Sequence, residues 1–198
     1  MQGVREGIRG VKVKDAGPMP TASQLTRQLE THDPDGAGHA LRVTALALRL
    51  AEAVRASAQR IEAIRAGGPL HDIGKLAVAS SILRKPGPLA PDELETMRTH
   101  PVVGVHLLSD VEDAQGGLEC VLHHHEWWDG SGYPHGLARG DIPLEARIVA
   151  VADAYDAMTF DRPYKAALTH EQAIAEVERW SGSQFDPQVA EALLDLER

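Results

Sequence analysis

Histidine and aspartate side chains recur along this chain at points where separate helices are expected. The candidates are His39, His71, Asp72, His100, His123, His124, His125 and Asp153. Side chains from facing helices of a bundle can converge on one metal centre, and imidazole with carboxylate suits ions such as iron, manganese or zinc. Residues adjacent on a helix project about 100° apart, so at most two of the three consecutive histidines can face one centre. Spacing alone therefore indicates a metal site, and it leaves the ion, the reaction and a surface role for single histidines open.

Composition narrows the classes of protein that fit. The chain has 198 residues, a formal charge of −9, ten histidines and one cysteine, Cys120. A single cysteine excludes a disulfide framework and a CxxC zinc knuckle. The acidic balance argues against binding along a long nucleic acid, and no apolar run approaches the ~20 residues needed to span a bilayer. We expect a cytoplasmic protein with no membrane segment.

Helix signals along the chain predict an all-α domain of about seven helices. Thr21-x-x-Gln24 and Thr169-x-x-Gln172 have the spacing of capping boxes, and Asp186-Pro187 suits a helix start. Further helices are expected leading up to His71 and over residues 118–126. Since no hairpin signal is present, we expect no β-sheet.

Two ordered motifs resemble those of a known enzyme family. His71-Asp72-Ile73-Gly74-Lys75, followed by Lys85-Pro86-Gly87 and His100, resembles the HD phosphohydrolase superfamily. His124-His125-Glu126-x-x-Asp129-Gly130-x-Gly132-Tyr133-Pro134 is similar to the signature of its HD-GYP group. The resemblance implies an HD-domain helical bundle with an ordered Gly-Tyr-Pro loop. It also implies a linker or lead-in helix at residues 1–30 and an HD-GYP catalytic domain at residues 31–198.

The resemblance further implies an activity. The reaction would be hydrolysis of cyclic di-GMP to pGpG, with GMP as the alternative final product, by a hydroxide that bridges metal ions. The cofactors implied are two or three divalent ions, iron or manganese. Two alternatives stay open. In one, the substrate is another cyclic dinucleotide such as cyclic GMP-AMP; in the other, the domain is a non-catalytic module that senses the messenger or docks a cyclase.

The resemblance continues through His39 ahead of Arg42-Val43, through Asp153-x-Tyr155-Asp156-Ala157 and through Arg162-Pro163-Tyr164-Lys165, and it implies roles for individual residues. The implied metal ligands are His39, His71, Asp72, His100, His124, His125 and Asp153. The catalytic residues implied are Asp72, which would bridge two ions, and Lys75, which resembles the lysine that contacts the phosphate. The implied substrate contacts are Lys75, Tyr133, Asp156, Arg162 and Lys165. Asp35, four positions before His39, is either a ligand for a third ion or the N-cap of a helix.

The glycine-rich loop has a structural and a partner interpretation. Its motif residues are Asp129, Gly130, Gly132, Tyr133 and Pro134. The glycines allow backbone conformations that other residues resist. In the family that the chain resembles, this loop is associated with diguanylate cyclase (GGDEF) domains and with the shape of the substrate cleft. We also expect that the helix over residues 21–31 can pair with a second copy in a homodimer.

Overall fold

A computed structural model describes residues 20–34, 38–161 and 167–197. Within these ranges the chain forms ten α-helical segments and no β-strand. They are α1 (Ala22–His32), α2 (His39–Ala53), α3 (Ala58–Gly67), α4 (Ser80–Leu83), α5 (Pro91–Arg98), α6 (His100–Leu108), α7 (Leu118–His123), α8 (Leu144–Thr159), α9 (His170–Arg179) and α10 (Pro187–Glu197). The prediction of an all-α bundle is confirmed, and the helices are divided more finely than the expected seven.

Local capping interactions fix where several helices begin. The Thr21 side chain accepts a hydrogen bond from the Gln24 backbone N–H, and the Gln24 side chain accepts one from the Thr21 N–H. Thr169 caps α9 in the same reciprocal way. These contacts satisfy backbone N–H groups that have no partner inside the helix. Both capping boxes predicted from the sequence are therefore confirmed.

Two buried clusters hold the bundle together. In the larger one, α2 packs against α8 through small and branched side chains such as Ala47, Leu50, Ile148 and Ala152, all fully buried. Small residues let the two helix backbones approach closely. The packing therefore sets His39, at the start of α2, beside Asp153 on α8.

A second cluster lies under α1. Leu25 of α1 packs with Leu70, Ile73 and Leu108, and it is only 5% exposed. The apolar face of α1 is therefore buried within the chain. Its contacts cross the predicted boundary at residue 30. That boundary, and the homodimer through residues 21–31, stay predictions.

The helix expected to lead up to His71 ends early, because Pro69 has no backbone N–H to continue the α-helical hydrogen bonds. α3 ends at Gly67, where an added Cβ would lie 2.3 Å from the Gly117 carbonyl oxygen. Tight 3-10 segments at Gly68–Leu70 and Ile73–Ala77 then carry the chain past the HD pair. α7 likewise ends at His123, so the next two histidines lie in a turn rather than on an α-helix.

Within residues 20–34, 38–161 and 167–197, no helix combines the length and the apolar composition needed to cross a bilayer.

Candidate metal centre

Asp72 lies at the centre of a cluster of four imidazoles. Its Oδ2 is 3.5 Å from His71 Nε2 and 3.9 Å from His39 Nε2. Its Oδ1 is 3.3 Å from His100 Nε2 and 3.8 Å from His124 Nε2. Each carboxylate oxygen therefore faces its own pair of histidines. This is the arrangement that two neighbouring cations sharing one carboxylate require.

Two further side chains extend the two halves of this cluster. Asp153 Oδ1 lies 3.1 Å from His39 Nε2 and 3.9 Å from His71 Nε2. His125 places a ring nitrogen within 4.8 Å of the ligand atoms of Asp72, His100 and His124. The structure thus brings together all seven side chains that the motifs implied as ligands from the described part of the chain.

Three of the histidines are held by a hydrogen bond from Nδ1, and their Nε2 atoms face the cluster. Nδ1 of His71, His100 and His124 each donates to the backbone carbonyl three residues earlier, at 2.8, 2.8 and 3.0 Å. That bond fixes the tautomer, so that the Nε2 lone pair points into the cluster. His71 Nε2 is fully buried, and no hydrogen-bond partner for it is found among the described residues. A buried, unpartnered imidazole nitrogen beside carboxylates fits a divalent ion.

Lys75 stabilises the charged form of the Asp72 carboxylate. Burial works against the ionised Asp72 carboxyl, but the neighbouring Lys75 ammonium holds its pKa well below the usual range. Lys75 Nζ lies 2.5 Å from Asp72 Oδ2. Burial also lowers the pKa of His124 well below its usual range and that of His125 to about 4. These two imidazoles are neutral at pH 7, which is the form that binds a metal.

Asp156 differs from its expected role as a substrate contact. It is 5% exposed, its Oδ2 lies 2.6 Å from His39 Nδ1, and Arg42 holds both carboxylate oxygens at 2.7 and 3.0 Å. Burial opposes the charged imidazole, but hydrogen bonds with Asp153 and Asp156 raise the pKa of His39 to about 9. Asp156 therefore orients His39 from behind. A carboxylate behind a histidine is the usual support for a metal ligand.

Replacing Asp156 tests this positioning role. Asp156→Asn should weaken metal binding at the half of the cluster that contains His39 by about 10–100-fold, because the carboxylate behind the ligand is lost. Metal titration of the purified chain measures it, and exposed Glu52→Gln on α2 is the control. Unchanged metal affinity in Asp156→Asn would show that Asp156 does not position His39 for metal binding.

The glycine loop is ordered and packs against the cluster. Tyr133 stacks on His125 with ring centroids 4.8 Å apart, and the Tyr133–Pro134 peptide bond is cis. A Cβ on Gly132 would lie 2.2 Å from the Trp127 backbone nitrogen, so only glycine fits there. Sequence reasoning assigned no role to Glu126, which accepts hydrogen bonds from two backbone N–H groups of this loop. Its position inside the His-His-Glu motif was the available signal.

Three residues with predicted site roles lie outside the described residues. They are Asp35, Arg162 and Lys165.

Comparison with known proteins decides the family. A model of the HD-domain family matches residues 23–189. The chain belongs to the HD-domain family. The resemblance inferred from the motifs is thereby confirmed.

Relatives of this HD domain include named phosphodiesterases. It is 45% identical over 174 residues to a cyclic di-GMP phosphodiesterase of Thermotoga maritima, covering 87% of this chain and 46% of that one. It is 44% identical over 176 residues to the cyclic di-GMP phosphodiesterase response regulator RpfG of Xanthomonas campestris, covering 88% and 47%. The chain thus spans about half the length of the curated relatives it matches.

A solved structure shares the fold of this HD domain. It is that of a cyclic GMP-AMP-specific phosphodiesterase of Vibrio cholerae, with a TM-score of 0.62 and 17% identity, covering 87% of this chain and 46% of that one. At this identity the likeness shows the fold alone.

Proposed function

We propose that this HD domain is a metal-dependent phosphodiesterase that hydrolyses cyclic di-GMP to pGpG, with GMP as the product of a second cleavage. The observation that carries the proposal is Asp72, whose two carboxylate oxygens each face a separate pair of histidines. The relatives named as cyclic di-GMP phosphodiesterases support the choice of substrate. An intact ligand cluster also speaks against a purely sensory or docking module.

The proposed ligands divide into two sets that share Asp72. One set is His39, His71, Asp72 and Asp153, and the other is Asp72, His100, His124 and His125. Nitrogen and carboxylate ligands suit iron or manganese, and Asp35 is the proposed ligand for a third ion. Divalent ions at such a site supply a water-derived nucleophile near neutral pH and neutralise charge on the phosphoryl oxygens.

The chain's own residues bind and orient the dinucleotide. Lys75 presents its ammonium at the edge of the cluster, with 23% of the side chain exposed, and would meet the scissile phosphate. We assign Arg162 and Lys165 to the phosphates as well, and Tyr133, stacked on His125, to one wall of the cleft. Bound cations and these basic groups let a chain of net charge −9 accept an anionic ligand.

Lys75→Gln separates charge stabilisation from metal binding. We expect kcat for cyclic di-GMP to fall about 100-fold, because a cation near developing negative charge is lost, while the number of bound metal ions stays the same. Lys85→Gln is the matched control, since Lys85 also lies 2.5 Å from a carboxylate, that of Glu93. A Lys75→Gln enzyme with full kcat would remove Lys75 from the mechanism.

The choice of substrate is tested by direct competition. The chain, prepared without oxygen and loaded with manganese or iron, is given cyclic di-GMP and cyclic GMP-AMP at equal concentrations, and products are separated by chromatography. We expect pGpG to form first and kcat/KM to be higher for cyclic di-GMP. Faster turnover of cyclic GMP-AMP would reassign the substrate, and no turnover of either would favour the messenger-sensing module.

Two partner assignments and a compartment belong to the same proposal. The Gly-Tyr-Pro loop is proposed to contact a diguanylate cyclase (GGDEF) domain, a second copy is proposed to pair through residues 21–31, and the compartment is the cytoplasm. Measuring the mass of the full chain in solution over a range of concentrations tests the pairing, because deletion of α1 would uncover the buried cluster around Leu25. A pull-down by a GGDEF domain that is lost in Tyr133→Ala tests the loop contact.

A further inference from the structure

Next to the main cluster lies a second group of metal-binding side chains that shares none of its ligands. It consists of His123 at the end of α7, Glu126 in the turn that follows, and His135 just after the Gly-Tyr-Pro motif. Each offers one ligand atom, and these atoms all lie within 4.8 Å of one another. We propose that this group binds a zinc-like transition-metal ion that fastens the loop to the end of α7.

His123 carries the inference because its Nδ1 makes no hydrogen bond to any of the described residues. The residue is 7% exposed, and no hydrogen bond to Nδ1 is found among the described residues. Nδ1 points towards Glu126 Oε1 at 3.6 Å, which is too long for a hydrogen bond. On the other side of the ring, Nε2 lies 3.4 Å from Glu119 Oε2. A proton on Nε2 facing that carboxylate leaves the Nδ1 lone pair for a ligand.

Glu126 supplies the negative charge of the site. It is 2% exposed, and the only ion-pair partner found for it among the described residues is His123. Its two oxygens accept backbone hydrogen bonds from His135 N at 2.8 Å and Leu137 N at 3.1 Å. A carboxylate oxygen has a second lone pair, so Oε1 can bind a cation while it keeps its loop contact. A bound cation would offset the charge of this buried carboxylate.

The distances suit a small tetrahedral ion. Two ligands about 2.0–2.1 Å from zinc at a tetrahedral angle lie roughly 3.3 Å apart, close to the 3.6 Å between His123 Nδ1 and Glu126 Oε1. The His123 and His135 rings have centroids 5.4 Å apart. Because His135 is exposed, the ion can enter from solvent and keep water in its remaining position. Two imidazoles and one carboxylate form a donor set that zinc commonly takes.

The experiment counts zinc ions in variants of the full chain. Metal-free protein is titrated with zinc, and His135→Ala is compared with the wild type and with His106→Ala, which removes another exposed imidazole far along the chain. Since His135 is exposed, the substitution leaves the core packing intact. We expect the wild type and His106→Ala to bind one more zinc ion per chain than His135→Ala, or to bind that ion at least about tenfold more tightly.

Crystals grown with zinc give a second, independent readout. An anomalous peak between His123, Glu126 and His135 that is lost in His135→Ala supports the site. Equal zinc number and affinity in all three proteins, with no anomalous peak at this position, would overturn it. Neither result depends on phosphodiesterase activity, so the outcome is distinct from that of the proposed function.

Discussion

Asp72→Ala is expected to lower kcat/KM for cyclic di-GMP by about 1,000-fold or more and to leave the chain with less than half of its bound metal. Among the described residues, Asp72 is the carboxylate that faces both histidine pairs, with its two oxygens 3.3–3.9 Å from four Nε2 atoms. Removing it takes one ligand from each proposed ion at once. Because the two cations act together, removal of their shared ligand should lower the rate about as much as removal of both cations.

Two companion variants make this result specific. Asp72→Asn keeps the size of the side chain and removes its charge, so it separates loss of ligation from loss of packing. Asp110→Asn, at an exposed position, is the matched control and should retain both activity and metal. Circular dichroism checks that every variant keeps its helix content. If Asp72→Asn held wild-type metal and wild-type kcat, Asp72 would not be the shared ligand.

Gly74→Ala is expected to destabilise the fold by about 3 kcal/mol or more. A Cβ at residue 74 would lie 1.9 Å from the His100 carbonyl oxygen and 2.7 Å from the Gly104 nitrogen. Both neighbours are backbone atoms of α6, so relief requires the 3-10 segment and α6 to separate. Because α6 begins at His100, the same movement pulls this histidine away from Asp72.

Thermal unfolding measures the effect. For a chain of this size, about 1 kcal/mol corresponds to roughly 2–4 °C in Tm, so a fall of about 6–12 °C is expected. Gly140→Ala is the control, since nothing lies within 4 Å of a Cβ there. A Gly74→Ala protein as stable as Gly140→Ala would show that the close approach of the two backbones is not needed.

The sequence predicted the parts of the molecule that depend on local pattern. The capping boxes at Thr21 and Thr169 give their helix starts directly, since each involves residues only three positions apart. The HD pair and the two histidines before Glu126 were recognisable from motif spacing. Their convergence on Asp72 still needed the fold to bring distant segments together.

Contacts between residues far apart in the sequence could not be predicted from local sequence pattern. Asp156 and His39 are 117 positions apart, and only the packing of α2 on α8 makes one the support of the other. Lys75 contacts Asp72 from within a 3-10 segment, a turn that the sequence motif did not indicate. The first contact depends on the packing of two helices, and the second depends on a local 3-10 turn.

We propose that the cluster around Asp72 hydrolyses cyclic di-GMP through bound divalent ions. The most direct measurement follows product formation by the wild-type chain as metal-free protein is reloaded with manganese, with bound metal counted on the same anaerobic sample. We predict no pGpG from the metal-free chain, and a rate that reaches its maximum when about two ions per chain are bound. Two results would contradict metal-dependent hydrolysis by this cluster. One is a chain that holds two or more ions and leaves cyclic di-GMP intact, and the other is a metal-free chain that hydrolyses it.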